Sequence, residues 1–284
     1  MTITLRPVQP ADAQACGRIC YEAFESIGKQ HNFPGAFPSA EAAATLLAGL
    51  ISHPGFYGVV AERDSAIVGS CFMDERSTIS GVGPVTVDPT AQNAGVGRQM
   101  VQHVLDRAGQ RGVPGVRLVQ AAFHARALSL YASLGFRVRE GLALMSGQPL
   151  RLTSPGRTVR LATHTDLDAC NQICRGVHGH DRAGELLDAL NDGTAMVVEH
   201  AGRVTGYSAP LAFFGHSVGE TADDLKALIG AAPFIPDPGI LVPLRSSLFR
   251  WALEHGLRVT VVMNLMSTGL YAEPDGAFLP SVLY

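Results

Sequence analysis

Charge is sparse in this sequence. Asp, Glu, Lys and Arg make up 17% of the 284 residues and leave a formal net charge of −3, with a pI near 6.4. A nucleic-acid binder needs a basic patch or stripe, and none stands out. No uninterrupted apolar run reaches the ~18 residues that would cross a bilayer as a helix. The opening MTITLRPVQP lacks the basic-then-apolar order of a secretory signal, so the cytoplasm is the expected location. Cysteine is scarce and odd in number. The five, at 16, 20, 71, 170 and 174, fit reduced thiols better than a disulfide framework. Nothing suggests disorder either: 46% of residues are hydrophobic, ample for a packed core.

What is present begins with a repeat. At roughly 100–200 residues per domain, the length suggests two domains. Arg6, Asp12, Ala15, Cys16, Ile19 and Cys20 recur as Arg160, Asp166, Ala169, Cys170, Ile173 and Cys174, at one constant offset of 154. Each segment starts extended and then passes an Asp that could cap a helix. Cysteines four apart then share one helical face. Residues 56–72 and 194–210 both read as strand, turn, strand, the second with His200–Arg203 as its hairpin loop. Residues 97–119 and 245–263 both read as helix, turn, strand. Two copies of this size imply two domains of one α/β fold with a mixed sheet. The expected division is 1–150 and 157–284, with the seam in the Gly-, Pro- and Ser-rich stretch 146–156. The segment Gly28–Ser39 reads as a loop that could form part of a substrate wall.

The most informative stretch runs from Val85 to Leu105. A strand passes through Gln92-Asn93-Ala94-Gly95-Val96-Gly97-Arg98 into a helix striped with Met100, Val101, Val104 and Leu105. Glycines let a ligand approach the backbone, and free N–H groups at a helix start hold anions. Arg98 adds positive charge, so a pyrophosphate is the natural guest. A nucleotide P-loop is excluded, because no Lys-Ser/Thr follows. Only Gly95-Val96-Gly97 fits the dinucleotide fingerprint.

These residues resemble the GNAT superfamily of N-acetyltransferases. Val87-Asp88-Pro89 followed by Gln92–Gly97 matches its Q/R-x-x-G-x-G/A signature, and Ala127–Phe136 looks like its A-x-x-L-Y-x-x-L-G-F motif. The resemblance covers roughly residues 3–145, and the second half looks like a degenerate copy. It implies two tandem GNAT-like acyl-CoA N-acyltransferase domains and acetyl-CoA as co-substrate. The pantetheine arm is expected to pair with backbone groups of Val85 and Val87, and the pyrophosphate to lie on Gln92–Arg98. His124 stands where the family often has the Asn that orients the cofactor arm, three residues before the motif's Ala127, and is the cofactor contact expected there. Tyr131 occupies the family's usual position for the acid that protonates the departing thiolate.

The general base is left open by the sequence. Glu22 and Glu25 lie on the first helix, Asp74 and Glu75 follow the third strand, and His124 and the end of the chain at Tyr284 are further candidates. The expected activity is acetyl transfer to the amine of a small or amino acid-like acceptor. A non-catalytic acyl-CoA sensor and a protein lysine acetyltransferase are the alternatives. No metal is expected: Cys170, Cys174 and His178 have zinc-like spacing, yet buried cysteines explain the copy in the first half better. Gly215-His216-Ser217-Val218-Gly219 matches a nucleophile elbow, but no oxyanion segment accompanies it. The second half lacks the glycine loop, with Gly239–Pro243 as its expected strand there. One coenzyme per chain is therefore expected, and the second half is left to shape the acceptor pocket or a homodimer interface.

Overall fold

The structure is a computed structural model, and it describes residues 3–284. In the first half, β1 (Thr4–Pro7) leads to the helices α1 (Ala13–Gln30) and α2 (Ala40–Ser52). The strands β2 (Phe56–Arg63), β3 (Ala66–Asp74) and β4 (Ser80–Val87) follow as a meander. Then come α3 (Val96–Gln110), β5 (Gly115–Ala121), α4 (Ala125–Ser133) and β6 (Arg137–Ser146). The second half opens the same way, with β7 (Arg157–Leu161), α5 (Leu167–His178), α6 (Ala183–Asn191), β8 (Met196–His200), β9 (Arg203–Ser208) and β10 (Ser217–Gly219). It closes with α7 (Ala222–Ala231), β11 (Ile240–Pro243), α8 (Ser247–Glu254), β12 (Arg258–Gly269) and β13 (Ala277–Leu279).

The recurring identities have a structural use. Arg6 grips both oxygens of Asp12, at 2.7 and 3.0 Å, and reaches Glu62 on β2 at 2.7 Å. Arg160 does the same with Asp166, at 2.8 Å to each oxygen, and with Glu199 on β8 at 2.7 Å. Each Asp also accepts the backbone N–H three residues earlier, from Gln9 or Thr163, and so closes the turn that starts the helix. The arginine thus ties strand, helix start and neighbouring strand together, and its hydrogen bonds hold the Asp12 and Asp166 carboxyls below their usual range. One turn further on, Cys16 and Cys20 pack under α2 with Leu47 and Phe72, while Cys170 and Cys174 pack with Leu186 and Tyr207. All five cysteines are buried and unbridged, as the sequence suggested. The hairpins repeat too: Asp64-Ser65 and Ala201-Gly202 turn with both residues at positive φ, which gives the twist a two-residue hairpin needs.

The two halves do not keep separate sheets. One sheet of eight strands runs β1-β2-β3-β4-β5-β12-β6-β11, and a second of five runs β13-β10-β9-β8-β7. The sheets do not follow the expected division at 1–150 and 157–284. The linker at 147–156 does lie between strands of different sheets, but β12 returns to the first half. It pairs antiparallel with β5 along Val116–Ala121 on one side and with β6 on the other. β11 then pairs with the outer edge of β6. The strand beside β9 is β10, not Gly239–Pro243, so the expected equivalence of that segment with β4 also falls. Physically, β5 and β6 are joined by one short helix and lie a strand's width apart, and β12 satisfies the backbone groups both would leave bare.

Candidate active site

The site begins where β4 and β5 part. They pair in parallel only at Ser80–Val116 and Gly81–Arg117. Beyond that, β4 stays paired with β3 through Val87, but its other edge has no strand beside it. A chain that needs amide partners can add there as an extra strand. Val85 and Val87 lie on this free stretch and line a cleft with Phe24 and Ile27 of α1.

The cleft continues onto the loop before α3. Asp88 accepts the N–H of Thr90 at 2.9 Å and turns the chain out of β4. Gln92 folds back, donating from Nε2 to the carbonyl of Val87 at 3.1 Å. Asn93 and Gly95 take positive φ, 65° and 78°, a path that Asn tolerates and Gly adopts freely. Gly95 is the residue before the first turn of α3, and no side chain caps that helix. The N–H groups of the first turn thus face the cleft unclaimed, at the positive end of the helix dipole. Gly97, inside that turn, leaves room: a Cβ there would meet Leu130 and Val87 only at 3.5 and 3.6 Å. These features suit a diphosphate.

α4 forms the far wall. Tyr131 lines the cleft and is 9% exposed, its ring edge-on to Phe136 at 6.0 Å. Met266 of β12 belongs to the same packed group, so the second half helps to hold this ring. Burial raises the phenol's pKa, and among the described residues no protein group hydrogen-bonds its hydroxyl. It is a protonated donor facing the cleft. His124 also lines the cleft, and burial, with Arg126 and His31 nearby, lowers its imidazole to about 4. It is neutral at pH 7.

Most sequence-predicted residues meet here: Val85, Val87, Gln92, Asn93, Gly95, Val96, Gly97, Arg98, His124 and Tyr131 all line the cleft. Ala94 does not; it is exposed on the outside of the loop. Glu22 and Glu25 do not either. Glu22 pairs with Arg18 at 2.9 Å and Glu25 with Lys29 at 3.0 Å, while the cleft takes Ala23, Phe24, Ser26 and Ile27 from the same helix. Asp74 is bound by Arg76 and Glu75 by Arg107, outside the cleft. Ser217 of the elbow-like pattern is buried and bonded to Ser208, with His216 turned to Tyr207 instead.

Arg126 was missed by the sequence reading. It holds Gln92 Oε1 at 2.6 Å and Asn93 Oδ1 at 3.3 Å across the cleft mouth, and Arg98 bonds the Ser133 hydroxyl at the other end of α4. Its signal was its place one helical turn before Leu130, which also lines the cleft. The loop before α2 packs beside the cleft: Phe33 stacks on Phe123, next to His124, with centroids 4.3 Å apart. The helix runs on to Gln30, so only the later part of Gly28–Ser39 is the expected loop.

A parted parallel pair, a glycine turn and a buried tyrosine on the next helix form one cleft, and residues 54–138 match the family model described as an acetyltransferase (GNAT) domain. That match runs from just before β2 to the start of β6 and takes in the cleft's β4, α3 and α4 walls. The chain is 42% identical over 52 residues to the ribosomal protein bS18-alanine N-acetyltransferase of Escherichia coli, a match covering 18% of this chain and 35% of that protein. The chain thus spans about a third of that relative's length. It is 29% identical over 105 residues to an IAA acetyltransferase of Azospirillum brasilense, covering 36% of this chain and 68% of the other. The fold of both halves together matches the crystal structure of a GCN5-related N-acetyltransferase from Sphaerobacter thermophilus. That match has a TM-score of 0.65 at 18% identity and covers 96% of this chain and 97% of that one. The matched segment is therefore one part of a two-half fold that another solved chain shares over nearly its full length. No helix among the described residues is long and apolar enough to cross a membrane.

Proposed function

We propose that the protein is an acetyl-CoA-dependent N-acetyltransferase acting on a small amine. The observation that carries this is the free edge of β4 running into the uncapped start of α3, with Tyr131 opposite. Backbone groups of Val85 and Val87 hold the pantetheine amides as a strand would. The first-turn N–H groups of α3, with Arg98 and Arg126, take the phosphates. When bound, the coenzyme supplies a thioester for direct attack by the amine. A backbone N–H on the β4 edge stabilises the charge that develops on the carbonyl oxygen. Tyr131 gives its proton to the departing sulfur, and its raised pKa keeps that proton in place until then.

Neither Glu22 nor Glu25 serves as base in this reading, because each is paired away from the cleft. His124, neutral and lining the cleft, is the base candidate this reading takes, directly or through a water. A small acceptor is favoured over a peptide because Phe213 and Val282 of the second half pack on Val119 and Leu142 of the first, covering the far face of the sheet beside the parted strands. The test is release of free thiol from acetyl-CoA across polyamines, amino acids, aminoglycosides and peptides. Amine-dependent release is expected with a small acceptor. Coenzyme binding without release under any amine would leave the sensor reading.

A further inference from the structure

A chain of cations runs through the junction of the two halves, and the mechanism does not use it. Arg117 is only 1% exposed. It sits on β5 at the last pair before β4 and β5 part, and its neighbours Val116 and Leu118 face the α3 and α4 side. Its own side chain goes the other way, into the second half. There its guanidinium lies over the Tyr284 ring at 4.0 Å and the Tyr271 ring at 5.0 Å. Arg182 covers Tyr284 at 4.4 Å, and Arg139 covers Tyr271 at 4.6 Å. Arginine and tyrosine thus alternate: Arg182, Tyr284, Arg117, Tyr271, Arg139.

The side-chain charges along this ladder do not balance. Arg182 pairs with Glu185, while Arg139 reaches only the Ser267 hydroxyl, at 2.8 Å. Among the described residues no carboxylate pairs with Arg117. Its one hydrogen bond to a side chain goes to His180 Nε2 at 3.3 Å, and its Nε has no partner. His180 has its Nδ1 at 3.1 Å from the carbonyl of Asp181, so Nδ1 carries the hydrogen and Nε2 is an acceptor. The imidazole adds no negative charge. The Nε of Arg182 and the Nδ1 of His178 are also buried without partners. Burial and Arg182 push the Arg117 guanidinium down to about 9. Aromatic faces attract a cation but carry no net charge, and a wholly buried guanidinium normally has an anion beside it.

We propose that this junction is a binding site for a small carboxylate, with Arg117 as its principal ligand and Arg182 and His178 completing it. The position of Arg117 at the foot of the parted strands points to a source. The carboxylate of an amino acid-like acceptor, held there, would leave its amine toward the cleft. That source rests on the acetyl-transfer reading; the anion site itself does not.

The test has two arms on the full chain. In the first, thermal unfolding is followed while sodium formate or acetate is titrated at constant ionic strength, against formamide or acetamide as uncharged controls. A saturable rise in midpoint with the carboxylates alone is expected, absent in Arg117→Met and partly kept in Arg117→Lys. An equal response to the amides, or none to the carboxylates, would overturn the proposal whether or not Arg117→Met folds. In the second arm, thiol release is compared for amino acids and their amides. A preference of at least ~10-fold for the free acids, reduced in Arg117→Lys, assigns the site to the acceptor. No preference, with saturable formate binding intact, assigns it to a free anion. Absence of all turnover would fail the acetyl-transfer reading and leave the first arm standing.

Discussion

The hydroxyl of Tyr131 is the smallest unit on which the proposed mechanism depends. Tyr131→Phe keeps the ring, its edge contact with Phe136 and its burial, so the protein should fold as before. Loss of the proton donor should lower kcat by about 10- to 1000-fold with acetyl-CoA affinity unchanged. A folded variant with full kcat would remove the residue from the mechanism. Two histidines make a prediction about acid. His124 and His180 are both lowered to about 4, chiefly by burial, from an ordinary 6.5. Between those values the unfolded chain takes up protons that the folded one refuses, so stability must rise with pH there. Their contribution is complete above 6.5 and is lost as pH falls toward 4. The lowered carboxylates, such as Glu185 at about 2, act only below their ordinary range near 4.5. The thermal midpoint should therefore begin to fall below about pH 6.5, less steeply in His180→Gln. A midpoint flat from pH 7 to 5 would contradict this. Of the residues named at this scale from the sequence, Tyr131 and His124 line the cleft, whereas Glu22 and Glu25 do not. Helical spacing tells which residues share a face, but does not tell which face turns to the ligand.

Among elements, the turn between β4 and α3 separates two kinds of glycine. Gly95 holds φ at 78°, so Gly95→Val should strain the turn even without ligand. Gly97 is helical, and a Cβ there would touch its neighbours at ordinary distances of 3.5 and 3.6 Å. Gly97→Val should therefore fold with a near-normal midpoint and lose coenzyme binding, because its branches enter the cleft. Calorimetry and thermal unfolding together check both. Micromolar acetyl-CoA binding by Gly97→Val would mean that the anion site lies elsewhere. The helix pair α1–α2 depends on a third glycine: a Cβ on Gly17 would fall 2.3 Å from the Ala44 Cα, so only glycine permits that approach. The turn was legible in the sequence because glycine spacing and a helical stripe are local. The α1–α2 contact was not, because nothing near Gly17 in the chain names Ala44.

For the whole molecule, β12 decides two outcomes. Residues 1–150 alone would lack the strand between β5 and β6, leaving both with bare backbone edges. That fragment should aggregate or stay largely unfolded by circular dichroism and size exclusion. A monomeric 1–150 binding acetyl-CoA with full affinity would show the strand to be dispensable. The same exchange bears on stoichiometry. In the first half the parted strands leave an open edge on β4, whereas β10, in the matching place beside β9, is paired on its other edge with β13. The connection from β10 to α7 is also short, residues 220–221, has no glycine, and starts a helix that Thr221 and Asp224 cap. One acetyl-CoA per intact chain is expected in titration calorimetry, and a value near two would refute it.

The sequence by itself determined what is local or repeated: the mixed α/β class, the doubled Arg–Asp helix start, the buried cysteines, the hairpins, and the Gln92–Arg98 turn that places the site. Each rests on contacts within one element or between neighbouring ones, where spacing along the chain is spacing in space. Tertiary structure alone decided that β12 completes the other half's sheet and that β10, not Gly239–Pro243, lies beside β9. It alone turned Glu22 and Glu25 away from the cleft, brought Arg126 across its mouth, and buried Arg117 against Tyr284. These depend on which strand edge is left bare and which charge is left without a partner once the two halves close. Both are properties of partners far apart in the chain, and no local pattern of residues encodes them.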